Sequence, residues 1–154
     1  MTEMARIRDQ LRRMVTGDAW HGPSVEEAMA AIAPATAAYR LSPETHSPAE
    51  LVLHMAAWLE IVARRLRGER VEPTEAEDWP SPGGEDDAAW RACVERLRAA
   101  YAALDAQLAA ADDARLAEKV PGRSMTMYVM LHGVVQHCAW HAGQVMLLAR
   151  SAGR

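Results

Sequence analysis

Apolar residues recur every three or four positions in four long stretches of this 154-residue chain, and that spacing is the period of an α-helix. The stretches are residues 2–16, 47–67, 86–110 and 125–150. No stretch alternates apolar and polar residues in the way that a half-buried strand does. The pattern therefore predicts an all-α fold, and specifically a four-helix bundle, in which four amphipathic helices bury their apolar stripes in one core.

Capping residues mark where some of these helices begin. Residues 24–27 (SVEE) and 47–50 (SPAE) both have the capping-box pattern, and Pro48 adds a proline at the first helical position. Residues 69–85 are instead rich in proline, glycine and acidic side chains, with Trp79 in the same segment. We expect no regular element there. A connection of this length is often functional, or it folds over one end of the core.

The composition is that of a globular protein without an evident nucleic-acid surface. Half of the residues (50%) are hydrophobic, and the net charge is −4 with acidic and basic residues interspersed. The length predicts a single domain, residues 1–154. The N-terminus has the pattern of a charged amphipathic helix, and no apolar run reaches about 18 residues. We therefore expect a cytoplasmic protein that binds neither nucleic acid nor a membrane, with Cys93 and Cys138 reduced.

Two histidines lie one helical turn apart in the last stretch. His137 and His141 are four residues apart, a spacing that places both side chains on one helix face with Cβ atoms about 6 Å apart. Two imidazoles so placed can bind one transition metal ion. A third histidine, His54, lies on an equally apolar face of another long helix, and such faces meet in a bundle. The alternative is three imidazoles satisfied by hydrogen bonds in a core.

The predicted metal site is open. Three neutral imidazoles leave coordination positions free on a divalent ion, which is typical of reactive sites, and zinc, nickel, iron and manganese all accept imidazole. Gln144, one turn after His141, is predicted to contact a bound ligand or, alternatively, only the backbone. Trp20 and His21 are predicted to line the mouth of the site and bind the cofactor, the alternative being a histidine satisfied within its loop. Glu50, one turn before His54, either orients that imidazole or only caps its helix, and no catalytic residue is assigned.

The last stretch is apolar on two sides. Opposite the histidine face lie Tyr128, Leu131, Val135, Ala142 and Met146. A four-helix bundle has no central helix, so this second face is predicted to help form a homodimer.

The histidine-bearing segments resemble the DinB-like superfamily, whose members include the bacillithiol and mycothiol S-transferases. The resemblance is carried by DAWHGPS at 18–24, HSPAELVLHMAAW at 46–58, LHG at 131–133 and HCAWHAGQ at 137–144. It implies a four-helix bundle with an up-down-down-up arrangement, usually a homodimer, and a metal ion, often zinc or nickel, held by His54, His137 and His141. In characterised relatives the open metal positions serve thiol chemistry. The resemblance therefore implies a low-molecular-weight thiol, such as bacillithiol or mycothiol, as a second cofactor.

The open three-histidine site, together with the resemblance to this superfamily, favours a metal-dependent S-transferase that joins a small thiol to an electrophilic small molecule. A metal-bound thiol is deprotonated near neutral pH, and the thiolate is the nucleophile. A metal-dependent hydrolase is the alternative, because the same open site would activate water, although Glu50 and His21 are the only evident bases. The third possibility is a non-catalytic, metal-stabilised stress-response protein. The fourth, a helical dimer without metal, is disfavoured by the three histidines.

Overall fold

A computed structural model describes residues 1–152, and this part of the chain forms helices and no β-strand. Its α-helices are α1 (Glu3–Thr16), α2 (Val25–Ala30), α3 (Pro48–Leu66), α4 (Glu75–Asp78), α5 (Asp87–Ala110) and α6 (Met127–Ala152). Two 3₁₀ segments, Pro34–Thr36 and Asp113–Ala117, lie in the connections. The predicted all-α fold is confirmed. Among these described helices, none combines the length and apolar character that crossing a membrane requires.

Both predicted capping boxes are formed. The Ser24 hydroxyl accepts a hydrogen bond from the Glu27 backbone N–H, and the Glu27 carboxylate accepts one from the Ser24 N–H at 2.8 Å. Ser47 and Glu50 exchange the same two bonds at the start of α3. Because these pairs satisfy backbone N–H groups that have no partner inside the helix, they determine where α2 and α3 begin.

The connection between α3 and α5 contains a helical turn, which corrects the expectation that this segment has no regular element. Thr74 caps α4 through a further capping box, in which its side chain accepts from the Glu77 N–H and Glu77 accepts from the Thr74 N–H. Pro73 and Pro80 flank this turn and do not interrupt it, so their lack of an N–H costs the helix nothing. The turn ends at Asp78 and Trp79, which both contact His54 of α3.

The four long helices enclose the core together. Helix α3 packs against α5 and α6, and α1 packs against the same two helices. Helix α3 is the most enclosed, with 15 of its 19 residues buried. Polar side chains on its inner face, including His54 and Arg65, are therefore held away from water.

Helix α6 contacts α3, and it also contacts α1 and α2. Leu131 and Ala142, on the face that was predicted to form a dimer, are buried within the chain itself. The sequence argument for a dimer is therefore wrong for these two residues, because the short helix α2 packs on α6 in addition to α1 and α3, the two neighbours that a four-helix bundle already provides. Trp140 and Leu147 on α6 remain exposed, and the homodimer stays a prediction.

Candidate metal centre

Three histidines from α3 and α6 meet in one group. His54, His137 and His141 each contribute a ring nitrogen, and these nitrogens lie within 4.8 Å of one another. The Nε2 atoms of His54 and His137 are 3.0 Å apart. Two imidazole nitrogens bound to one zinc ion at about 2.0–2.1 Å in tetrahedral geometry lie roughly 3.3 Å apart. The spacing is therefore close to that of a metal centre.

Hydrogen bonds set the protonation of two of the three imidazoles. Nδ1 of His54 donates to the backbone carbonyl oxygen of Asp78 at 2.7 Å, since a carbonyl oxygen can only accept. Nδ1 of His141 donates to Oε1 of Gln144 at 2.6 Å. Each proton on Nδ1 leaves a lone pair on Nε2, which is the tautomer that binds a metal.

His137 is the least satisfied of the three histidines. Its Nδ1 is buried and has no hydrogen-bond partner in the described part of the chain, and in the metal-free protein its Nε2–H donates to the lone pair on Nε2 of His54. Burial, with smaller contributions from His141 and His54, lowers the pKa of His137 to about 3. Burial also lowers the pKa values of His54 and His141. All three imidazoles are therefore neutral near pH 7, which is the form that binds metals, and the group fits a divalent transition metal ion better than a closed hydrogen-bond network.

The end of α4 holds the His54 side of this group. The Trp79 indole lies between two imidazoles, stacked on His54 at 3.8 Å and on His46 at 3.6 Å, with an interplanar angle of 6° in each pair. Oδ1 of Asp78 accepts a hydrogen bond from Nε1 of Trp58 at 2.7 Å and lies 3.2 Å from Nδ1 of His54. Asp78 thus orients both the His54 imidazole and the Trp58 indole.

Asp78 and Trp79 were not identified as site residues from the sequence. The sequence did contain one indication: Trp79 and several acidic residues lie in a long connection, and connections of this length often carry functional residues. Of the two roles considered for Glu50, the structure supports the cap: its carboxylate accepts from the Ser47 N–H and pairs with Arg40. The oxygen atoms that orient His54 come from Asp78 instead.

Trp20 and His21 lie away from the histidine group. Trp20 is fully exposed, and both residues line a separate cavity together with Val135 and Ala139 of α6. Neither is among the residues that line the cavity at the histidines. A role for the pair in cofactor binding stays a prediction, and it would have to operate at this second cavity.

Cys138 is adjacent to His137 in sequence but is not part of the group. It is completely buried, and burial raises the pKa of its thiol to about 12. A thiol protonated at neutral pH is a poor metal ligand, and the three-nitrogen group excludes it.

A cavity of about 720 Å³ adjoins the three histidines. Its walls are mostly apolar and come from α3, the end of α4, the connection before α6, and α6. Trp58, Trp79 and Trp140 all line it. The volume lies within the range of small-molecule pockets, about 300–1,000 Å³. The three histidines thus stand at the wall of a space large enough for a substrate.

The chain is all-α, and it has an open group of three histidines beside an apolar cavity. These two features define its class, that of all-α proteins with a candidate metal site. Residues 19–145 match the family model of the DinB superfamily, a span that includes all three histidines and Asp78. The chain belongs to the DinB superfamily, which confirms the resemblance drawn from the sequence. No curated protein and no solved structure matches the chain.

Proposed function

We propose that this protein is a metal-dependent enzyme that joins a low-molecular-weight thiol to a small electrophilic substrate. The observation that carries the proposal is the group of three neutral imidazoles at the wall of a substrate-sized cavity. When bound there, zinc or nickel would supply a Lewis acid that lowers the pKa of a thiol beside it. A thiol such as bacillithiol or mycothiol would be the second cofactor.

The residues of the chain would bind the ion, orient its ligands and exclude water. His54, His137 and His141 are the three ligands in this proposal. The Asp78 carbonyl and the Gln144 side chain hold the Nδ1 protons, which keeps both Nε2 atoms free. Trp58 and Trp79, the two partly buried tryptophans that line the cavity beside the histidines, would limit the access of water, so that a thiolate formed there meets the electrophile instead of solvent.

No described residue on the cavity wall supplies a free carboxylate as general base, which weighs against the hydrolase alternative. Asp78 supplies the carboxylate on the cavity wall, and it is already engaged by Trp58 and His54. Glu50 is used in the cap of α3, and His21 lines a different cavity. A hydrolase would need a side chain to take a proton from water, whereas a thiol loses its proton near neutral pH once it is bound to a metal.

The test measures turnover of monobromobimane, an electrophile that becomes fluorescent when it reacts with a thiol. The metal-loaded parent is compared with metal-stripped parent, with His137→Ala and with the control His132→Ala, each with mycothiol, bacillithiol or no thiol. We expect rates above the uncatalysed reaction only with metal and thiol together, lost in His137→Ala and kept in His132→Ala.

Other outcomes of this test separate the alternatives. Metal-dependent hydrolysis of ester substrates without any thiol would replace the transferase by a hydrolase. A large metal-dependent rise in melting temperature without turnover would instead indicate a metal-stabilised stress-response protein. If the parent binds no metal after incubation with zinc or nickel, the enzyme proposal fails.

We further propose that the chain is a single domain, 1–154, folded as the up-down-down-up four-helix bundle that the superfamily resemblance implies, and that it acts as a cytoplasmic homodimer. The packing of α1 and α3 against both α5 and α6 supports the bundle. Exposed Trp140 and Leu147 on α6 support a second copy on that helix. Sedimentation that detects only monomer at tens of micromolar would contradict the dimer.

A further inference from the structure

The cavity at the histidines has a cationic end that the proposed chemistry does not use. Arg65 on α3 lines the cavity and is only 3% exposed. Arg123, in the connection before α6, lines the cavity as well. Arg65 needs an explanation, because a buried charge is costly unless it is paired, and this wall of the pocket is apolar outside the histidine group, Asp78 and the two arginines.

No carboxylate in the described part of the chain lies within salt-bridge distance (4.0 Å) of Arg65. Its Nη2 donates to the Val71 carbonyl oxygen at 2.9 Å, whereas its Nε is buried and has no hydrogen-bond partner. A guanidinium has five N–H donors, and within the described part of the chain the Val71 carbonyl is the acceptor that Arg65 has. Burial, and then the neighbouring charge of Arg123, lower the pKa of Arg65, and the charge of Glu72 offsets only part of this effect.

The two ends of the cavity are joined by one face of α3. His54, Trp58, Val62 and Arg65 follow one another at helical spacing, and all four line the cavity. Cζ of Arg65 lies 5.7 Å from the Trp58 ring centroid, and the His137 ring centroid is also 5.7 Å from Trp58. One indole therefore separates the guanidinium from the histidine group, and the cavity presents a cation, an apolar middle and a reactive end in sequence.

We propose that this cavity takes a small amphipathic carboxylate, with its carboxylate paired to Arg65 and Arg123 and its apolar or aromatic body against Trp58 and Val62. A body of about two fused rings suits a cavity of small-molecule size. A carboxylate matches the guanidinium geometry and supplies the anion that Arg65 lacks. The part of the proposal that places the reacting atom of the ligand at the histidines rests on the proposed function; binding at the arginine end does not.

This arrangement predicts specificity for the charged ligand. A neutral molecule of the same shape would leave Arg65 unpaired and would fill the same apolar space. The arginine end therefore selects the acid over its amide and fixes which end of the ligand points toward the histidines.

The experiment is a calorimetric titration with 1-naphthaleneacetate and with its neutral amide, on metal-free and zinc-loaded protein. The main variant is Arg123→Gln, because Arg123 is exposed and its loss does not open the core. Arg6→Gln is the matched control, since Arg6 is an exposed arginine on α1 that pairs with Glu3 and does not line the cavity. We expect the parent to bind the acid at least about tenfold more tightly than the amide. Arg123→Gln should lose most of that preference, and Arg6→Gln should keep it.

A second variant tests whether the ligand occupies this cavity. Gly133 lines the cavity, and a Cβ added there meets nothing within 4 Å, so Gly133→Leu places a side chain in open space. We expect Gly133→Leu to abolish binding of both the acid and the amide while its circular dichroism stays that of the parent. Undiminished binding in Gly133→Leu would overturn the proposal, because the ligand would then lie elsewhere.

The titrations distinguish failure of this inference from failure of the proposed function. Equal affinity for acid and amide in the parent would overturn the carboxylate subsite. Acid binding that requires zinc and does not change in Arg123→Gln would place the carboxylate at the metal, which overturns the subsite and leaves the proposed function standing. Arg123-dependent binding by a protein that takes up no metal would support the subsite while the proposed function fails.

Discussion

Nδ1 of His54 donates a hydrogen bond to the backbone carbonyl oxygen of Asp78, 2.7 Å away, although 24 positions separate the two residues in the chain. This bond ties the short helix α4 to the inner face of α3. It places the Trp79 indole against the imidazole and selects the tautomer with a free Nε2. The connection between α3 and α5 is therefore part of the candidate metal centre.

Replacing His137 should remove metal binding without unfolding the protein. We expect about one zinc or nickel ion per chain in the parent and well under half of that in His137→Ala, because two imidazoles bind a divalent ion much more weakly than three. Elemental analysis of protein purified without an affinity tag gives the stoichiometry. His132→Ala is the control, since His132 lies on the same helix but outside the three-histidine group. Equal metal content in the parent and His137→Ala would show that the three histidines do not form the metal site.

Gln144 should contribute to metal affinity through His141. Its Oε1 accepts the Nδ1 proton of His141, and loss of such a partner typically lowers metal affinity by about 10- to 100-fold. Gln144→Ala is expected to show this loss in competition titrations with a chromogenic chelator. Gln136→Ala serves as control, because Gln136 lies on α6 but lines the separate cavity near Trp20. Parent-like affinity in Gln144→Ala would show that His141 needs no orienting partner.

The stack of Trp79 between His46 and His54 should stabilise the loop over the core. Trp79→Ala removes two stacked pairs, each worth about 0.5–1.5 kcal/mol beyond the area that it buries. We expect a clear fall in the urea midpoint of the metal-free protein, and partial recovery in Trp79→Phe. Trp140→Ala, at a side chain that is 68% exposed, should change the midpoint little. If Trp79→Ala and Trp140→Ala unfold at the same urea concentration, the stack contributes no stability.

The two thiols should be inert in the folded protein. Burial raises the pKa of Cys138 to about 12 and also raises the pKa of Cys93. Because the thiolate is the reactive form, its fraction at pH 8 is very small. Ellman's reagent is expected to detect almost no rapid reaction at pH 8 in native buffer and two thiols per chain in guanidinium chloride. A rapidly reacting native thiol would mean that one of these cysteines is accessible.

Local spacing accounts for what could be predicted from the sequence. The Ser47–Glu50 box caps α3 whatever surrounds it, and the four-residue interval of His137 and His141 places both on one helix face. The matching apolar stripes were sufficient to predict that His54 meets this pair. Each of these relationships depends on helix geometry or on burial of an apolar face, both of which a sequence pattern reports directly.

The tertiary structure alone decided which distant residues serve the site. Only the path of the chain after α3 brings Asp78 and Trp79 to His54, and only packing shows that Arg65 is buried with no carboxylate of the described residues within salt-bridge distance. The tertiary structure also places Trp20 at a second cavity. Helix α6 presents Val135 and Ala139 to the loop that carries Trp20, and it presents its histidines to α3. Such contacts join residues far apart in sequence, so they depend on how the helices pack and not on any local spacing.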